Sequence, residues 1–341
     1  MLQFDSKGIY CSRADVYIDP WQPVSKALIT HAHSDHARPG SKAYLCHHDT
    51  VPLLKLRLGD GIRVEGIGYG EPLFLNGVRI SFHPAGHIIG SAQIRLEYQG
   101  AVWVVSGDYK LQHDGVSIPF DPLRCHHFIT ESTFGLPVYR FPEPDTVHEE
   151  INSWWRQNVA EGQNSVLIGY ALGKAQRIIR HLDESIGPVY VHGAVDNVNQ
   201  VLLANGLLLK PTIRVIPEHQ KKEIQKAMIV APPSAIGSPW LKRFLPYSLG
   251  ICSGWMQLRG ARRRRSADRG FVLSDHCDWL QLNAAIEATG AEKVYVTHGY
   301  KSIFARWLQE ERGLQAFEVE TLYAAEGGED TDEIMSGTAE T

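Results

Sequence analysis

Apolar positions fall first into short runs and only later into helical spacing. Residues 15–19 form a short extended segment closed by the breaker Pro20. Residues 27–30 are a short apolar run of the kind a buried strand leaves. Similar runs predict strands at 78–82, 93–98, 101–106 and 127–130. The period changes near Asp145: Val147, Ile151, Trp154 and Val159 lie near helical spacing, with Asp145-Thr146 offering an N-cap. Strand and helix then alternate. A strand is predicted at 165–170, a helix at 173–182 with Ala175, Ile178 and Ile179 inward, a strand at 189–192 and a helix at 198–204. Strands return at 227–230, 270–273 and 293–297, and a helix over 278–289 separates the last two. This alternation predicts an α/β fold with parallel strands. No internal repeat is found.

Composition narrows the class. A chain of 341 residues with 43% hydrophobic residues can bury a sizeable core, and its length suggests about two domains. No apolar run approaches the ~20 residues of a membrane span. Residues 1–10 carry Asp5 and Lys7 without an apolar segment, so no secretion signal is expected. Five cysteines (Cys11, Cys46, Cys125, Cys252 and Cys277) are scattered and odd in number. They predict neither a disulfide framework nor a cysteine zinc site, and a reducing cytoplasm is the expected location. Net charge is −4, and the basic charge is local: Arg259, Arg262, Arg263, Arg264 and Arg265 fall within seven positions. Residues 326–341 are rich in Gly, Ser, Thr, Asp and Glu and are expected to be a disordered acidic tail.

The strongest chemical signal follows the run at 27–30. His31, His33, Asp35 and His36 place four metal-ligand side chains within six positions. Neutral imidazole and carboxylate suit zinc, and also manganese or iron. The alternative is a solvated polar loop, which so dense a set disfavours. His87, Asp108 and His298 also stand where predicted strands end. Each alone could be structural; their shared placement suits one rim of a layered fold. His47-His48, His126-His127 and His192 lack a ligand pattern and read as structural or surface residues. The eight tryptophans read first as core residues; Trp255, near the arginines, is the one that could instead stack on a ligand.

The order His-x-His-x-Asp-His, Gly-His, Gly-Asp and a late His resembles the metallo-β-lactamase fold. The resemblance implies that His31, His33 and His87 hold one ion. Asp35, His36 and His298 would hold a second, Asp108 would bridge them, and Asp19 would orient a ligand imidazole from behind. Three further segments resemble motifs A, B and C of the β-CASP nucleases: Glu131-Ser132-Thr133-Phe134-Gly135, Ser274-Asp275-His276-Cys277-Asp278 and Thr297-His298-Gly299. Gly169-Tyr170-Ala171-Leu172-Gly173-Lys174-Ala175-Gln176 is similar to a strand-to-helix turn of that branch. Residues 31–41, 131–142 and 253–279 look closest to bacterial ligase-associated DNA exonucleases.

This resemblance implies an αββα sandwich carrying an inserted, smaller α/β β-CASP domain. Its parts would be residues 1–150, then the β-CASP domain at 151–264, then a return to the first domain at 265–325. The implied activity is two-metal hydrolysis of DNA in bacterial repair, acting from 5′ ends. Zinc is the default metal and manganese an alternative. Asp35, His276 and Glu131 would be catalytic. Ser132, Lys174 at the predicted helix start, and the five arginines would touch substrate. A DNA ligase and other repair proteins are the implied partners. His298 at motif C is more similar to RNA-processing members, so RNA stays open as substrate. A small-molecule metallohydrolase is opposed by His276 and the extra domain. A silent nucleic-acid-binding module is opposed by the complete ligand set.

Overall fold

The computed structural model describes residues 1–219, 223–258, 260 and 267–320. Arg259, Arg262, Arg263, Arg264 and Arg265 and the acidic tail lie outside the described residues. The chain divides into two compact units. Unit one holds Met1–His113, Ser117–Arg140 and the chain from His276; unit two holds Asp114–Val116 and Phe141–Asp275.

Unit one is built on two sheets. The first has the order β1 (Leu2–Asp5), β2 (Gly8–Cys11), β3 (Val16–Ile18), β4 (Ala27–Leu28), β5 (Tyr44–His47) and β6 (Val64–Ile67). Its first two pairings are antiparallel and the rest parallel. The second runs β19 (Gln315–Glu318), β18 (Lys293–Val296), β11 (His127–Thr130), β10 (Ala101–Val105), β9 (Ala92–Tyr98), β8 (Val78–Pro84) and β7 (Leu73–Leu75). One core joins the facing sides of the two sheets. It contains Ile9, Ile18 and Leu28 from the first and Ile80, Phe82, Ile94, Leu96, Trp103 and Val105 from the second. The opposite face of the second sheet supplies Val102, Val104, Phe128 and Val294 to another core. That core is closed by α5 (Trp279–Thr289) and α6 (Lys301–Glu310) through Trp279, Leu282, Phe304 and Leu308. Burial on both faces explains why β10 reads Ala-Val-Trp-Val-Val without alternation.

Strand direction assembles the rim. β10, β11 and β18 run parallel, and β9 is antiparallel to both β8 and β10. β8, β10, β11 and β18 therefore end on the same edge of their sheet, followed by His87, Asp108, Glu131 and His298. In the first sheet the parallel β3 and β4 end just before Asp19 and His31.

Unit two holds a sheet with the order β14 (Ile213–Arg214), β13 (Val189–Val191), β15 (Met228–Ala231), β12 (Asn164–Ile168), β16 (Tyr247–Cys252) and β17 (Arg269–Phe271). Every pairing is parallel. α2 (Pro144–Ala160) packs on β12 and β17, and α3 (Lys174–His181) and α4 (Gly193–Ala204) pack on β15. α2 begins one residue before the expected cap. Glu143 is its N-cap and makes no side-chain cap bond, while Pro144 occupies N1, where its fixed φ costs no hydrogen bond. His192 caps α4, its Nδ1 accepting from the Ala194 amide at 3.1 Å. Among the described residues, no helix is long and apolar enough to cross a membrane.

Candidate metal centre

Two donor groups meet at the rim of unit one. His31, His33, His87 and Asp108 each present one ligand atom, all within 4.8 Å of one another. Asp35, His36 and His298 do the same. The Asp108 carboxylate lies against both groups. Its Oδ2 is 3.5 Å from His31 Nε2, 3.3 Å from His36 Nε2 and 3.9 Å from His87 Nε2. His87 Nε2 and His33 Nδ1 are 3.0 Å apart. Donors ~2.0–2.2 Å from a shared ion at ordinary coordination angles lie roughly 3–3.6 Å apart. Most of these spacings already sit in or near that range.

The donor set also fits an ion by what surrounds it. His31 Nε2 and Asp108 Oδ1 are buried without a hydrogen-bond partner among the described residues. Leaving such atoms unmatched costs free energy unless something else takes them. Behind the ligands the bonding is dense. Asp19 sits in the left-handed region, φ 43°, and its carboxylate accepts from the Thr30 amide at 2.8 Å and the Thr30 hydroxyl at 2.6 Å. Its Oδ2 also meets His36 Nδ1 at 2.7 Å. His298 has φ 49° and Gly299 φ 66°. This turn lies so tightly on Ser132 that a Cβ at Gly299 would stand 2.2 Å from the Ser132 carbonyl oxygen.

Burial and charge divide the ligands. Burial pushes the His31 imidazole well below its usual range, with His36 and His87 adding to the effect. Burial also lowers His298. For His36 burial acts downward too, but Asp108, Asp35 and Asp19 outweigh it and hold the imidazole well above its usual range. Burial would raise Asp108, yet His36 and His276 hold it well below the ordinary carboxylate range. The three carboxylates thus favour a proton on His36, and an ion taken at Nε2 competes with it. Lower pH favours the proton, so metal affinity should weaken by about tenfold per pH unit for each displaced proton. Chelator competition between pH 6 and 8, with proton release followed by calorimetry, checks this; a flat affinity contradicts it.

A third group adjoins the first two. Asp108, Glu131 and His276 also bring ligand-type atoms within 4.8 Å. Here the Glu131 carboxylate is occupied as an acceptor. It meets His276 Nδ1 at 2.9 and 3.0 Å and accepts from the amides of Tyr109 at 3.2 Å and Thr133 at 3.3 Å. Glu131 is buried, while the His276 side chain is 14% exposed.

Two residues expected to touch substrate lie inside the protein. Ser132 is fully buried, and its hydroxyl donates to the His298 carbonyl and lies 3.3 Å from the Thr297 carbonyl, so it holds the motif C turn. Lys174 is 1% exposed, 3.6 Å from Asp275 Oδ2 and above the Tyr170 ring. The start of α3 is closed by the Gln176 side chain, which accepts from the Gly173 amide at 2.7 Å. Sequence reasoning also passed over a group in unit two, Asp145, His148 and His181. The two rings stack at 3.9 Å and 8°, so their in-plane lone pairs run nearly parallel and do not converge on one ion.

The site defines the class. The relatives support the likeness to metallo-β-lactamase-fold β-CASP nucleases that its motifs carry. Among curated relatives, a protein named "Probable DNA ligase" from Opitutus terrae is 31% identical over 318 residues, covering 92% of this chain and 30% of that protein. An "RNase J-like protein" from Methanocaldococcus jannaschii is 27% identical over 240 residues, 60% of this chain and 56% of that protein. "Cleavage and polyadenylation specificity factor subunit 3-I" from Arabidopsis thaliana is 28% identical over 207 residues, 49% of this chain and 28% of that protein. The chain thus spans less than two thirds of the length of each of these relatives. No family model matches. A crystal structure of a protein of unknown function from Enterococcus faecalis shares the fold, with a TM-score of 0.60 at 10% identity over 87% of this chain and 79% of that one.

Proposed function

We propose that this chain is a two-metal phosphodiesterase that cleaves nucleic acid, and that its substrate is DNA attacked from a 5′ end. The observation carrying the reading is the meeting of His31, His33, His87, Asp108, Asp35, His36 and His298 in two adjoining donor groups. In this reading unit one is the αββα sandwich and unit two the smaller inserted β-CASP domain, bounded near residues 141 and 275. His31, His33 and His87 would hold one ion and Asp35, His36 and His298 the other, with Asp108 shared between them. All donors are nitrogen or oxygen, which suits zinc first and manganese next.

Two such ions, when bound, supply a nucleophile at neutral pH and neutralise charge on the scissile phosphate. The chain's own groups do the rest. Asp35, whose side chain is 42% exposed, would steer the attacking hydroxide while also serving as a ligand. His276 turns Nδ1 to Glu131 and so presents Nε2, from which it protonates the departing sugar oxygen or contacts a phosphate oxygen. Glu131 acts through that imidazole by fixing its orientation. The five arginines from Arg259 to Arg265 would bind phosphates through charge and paired hydrogen bonds.

DNA is favoured because 92% of the chain aligns with part of a protein named probable DNA ligase. A ligase and other repair proteins are the partners this implies. His298 and the relatives named for RNA processing favour a second reading, an RNA nuclease with the same chemistry. Incubation of metal-loaded protein with end-labelled single- and double-stranded DNA and RNA decides between them. Stepwise shortening of DNA from the 5′ end is expected. RNA cleaved with DNA intact selects the second reading, and no cleavage of either rejects both.

A further inference from the structure

We propose that Thr30 and Thr297 are positioning residues that fix the tautomer of one ligand histidine in each donor group. The inference rests on the two-ion reading and deepens it.

A threonine hydroxyl has one proton to give. Thr30 Oγ1 gives its proton to Asp19 Oδ2 at 2.6 Å, because a carboxylate there can only accept. The same oxygen lies 3.0 Å from His31 Nδ1. With the hydroxyl proton committed, that second contact is a hydrogen bond only if Nδ1–H is the donor. A neutral imidazole protonated at Nδ1 carries its lone pair on Nε2. Nε2 is the atom that faces Asp108 at 3.5 Å.

Thr297 repeats the arrangement on another strand. Its Oγ1 donates to the Thr130 carbonyl at 3.0 Å and lies 3.0 Å from His298 Nδ1. A carbonyl cannot donate, so the proton count is the same: His298 gives Nδ1–H and keeps Nε2 bare. Both threonines are buried and anchored by their amides, Thr30 on Asp19 Oδ1 at 2.8 Å and Thr297 on the Thr130 carbonyl at 2.7 Å. Gly107 completes the seat of Thr30: a Cβ there would stand 2.7 Å from that side chain. Asp19 thus serves one histidine of each group, His36 directly and His31 through Thr30. Without the hydroxyl, Nδ1–H loses its acceptor and the ring is free to turn an Nε2–H toward the ion.

Groups behind metal ligands typically change affinity by about 10–100-fold. The test measures Zn(II) stoichiometry and affinity by competition with a chromophoric chelator. Wild type is expected to hold two ions. Thr297→Val should weaken one of them by about 10–100-fold, Thr30→Val the other, and Thr→Ser at either position should restore binding. Two ions held with wild-type affinity in both valine variants overturn the proposal. So does failure of serine to rescue when the metal-free variants unfold at the wild-type temperature. Long-range proton–nitrogen spectra of metal-free wild type, labelled at histidine, read the tautomers without any substitution. Nδ1–H at His31 and His298 is expected, and Nε2–H at either contradicts the assignment. A wild-type protein that takes up no zinc instead rejects the two-ion reading, whatever the tautomers.

Discussion

Asp108→Ala protein is expected to lose cleavage by about 10³-fold or more and to retain fewer than two ions per chain. The figure follows from the charge stabilisation of bound ions, several kcal/mol, at 1.36 kcal/mol per factor of ten. Among the described residues, Asp108 is the carboxylate lying against imidazoles of both donor groups, within 3.9 Å of His31, His36 and His87. In the proposed assignment, removing it would take a ligand from each ion and leave three buried imidazoles without their shared anion. A local collapse could imitate this result. Asp108→Asn keeps the shape and some of the bonding but not the charge, so it should lose ions while unfolding as a cooperative unit. Metal content by mass spectrometry, cleavage rate and thermal unfolding are measured together. An alanine variant with two tightly held ions and more than about a tenth of wild-type activity would contradict the bridging role.

The histidine cluster was legible because its residues are close in sequence. Four ligand-type side chains within six positions, directly after an apolar run, need no tertiary information. His87, Asp108 and His298 were legible only as residues at strand ends, and their grouping came from motif order. The hydroxyls of Thr30 and Thr297 were not legible. A threonine ending a strand is ordinary, and its meaning lies in contacts 11 and 167 positions away. Ser132 and Lys174, expected to touch substrate, lie inside the protein, and the sequence hid this for a related reason. Polar residues beside a motif suggest a surface, yet both are buried and engaged.

The fold shows the same division. Of the longer elements α2, β10 and α5 were found, the expected helix at 278–289 being α5 with Asp278 as its cap, whereas the ten-residue α6 and the six-residue β16 were not. Strands β1, β2, β5, β6 and β7 were not. At three or four residues each they hold too few positions for a period to show. α1 (Thr50–Leu58) was hidden by Pro52, which reads as a breaker but stands in the first turn, where no hydrogen bond is lost. α4 starts at Gly193, five residues before the pattern suggests, because its N-cap is His192, a local cap outside the usual Ser, Thr, Asp and Asn signals.

His276→Ala is expected to keep two ions and lose about 10²–10⁴-fold in cleavage, the usual worth of a positioned acid or base. The ring contributes no atom to either donor group holding the ions in the proposed assignment. Its Nδ1 is committed to Glu131, and Glu131 is fixed by the Tyr109 and Thr133 amides and the Thr133 hydroxyl. The imidazole thus stands oriented before substrate arrives, with Nε2 as its working atom, 14% of the side chain open to solvent. Two roles are possible for that atom, and the choice of substrate separates them. Protonating the departing sugar oxygen matters when the leaving group is a poor one. A nitrophenyl phosphodiester leaves without a proton, so against it the alanine variant should fall by only about tenfold if His276 is the acid. If His276 only binds a phosphate oxygen, the loss should be equal for DNA and the chromogenic ester. Glu131→Gln should give a smaller loss in the same direction, because it loosens the ring without removing it. Full DNA cleavage by the alanine variant would remove His276 from the chemistry altogether.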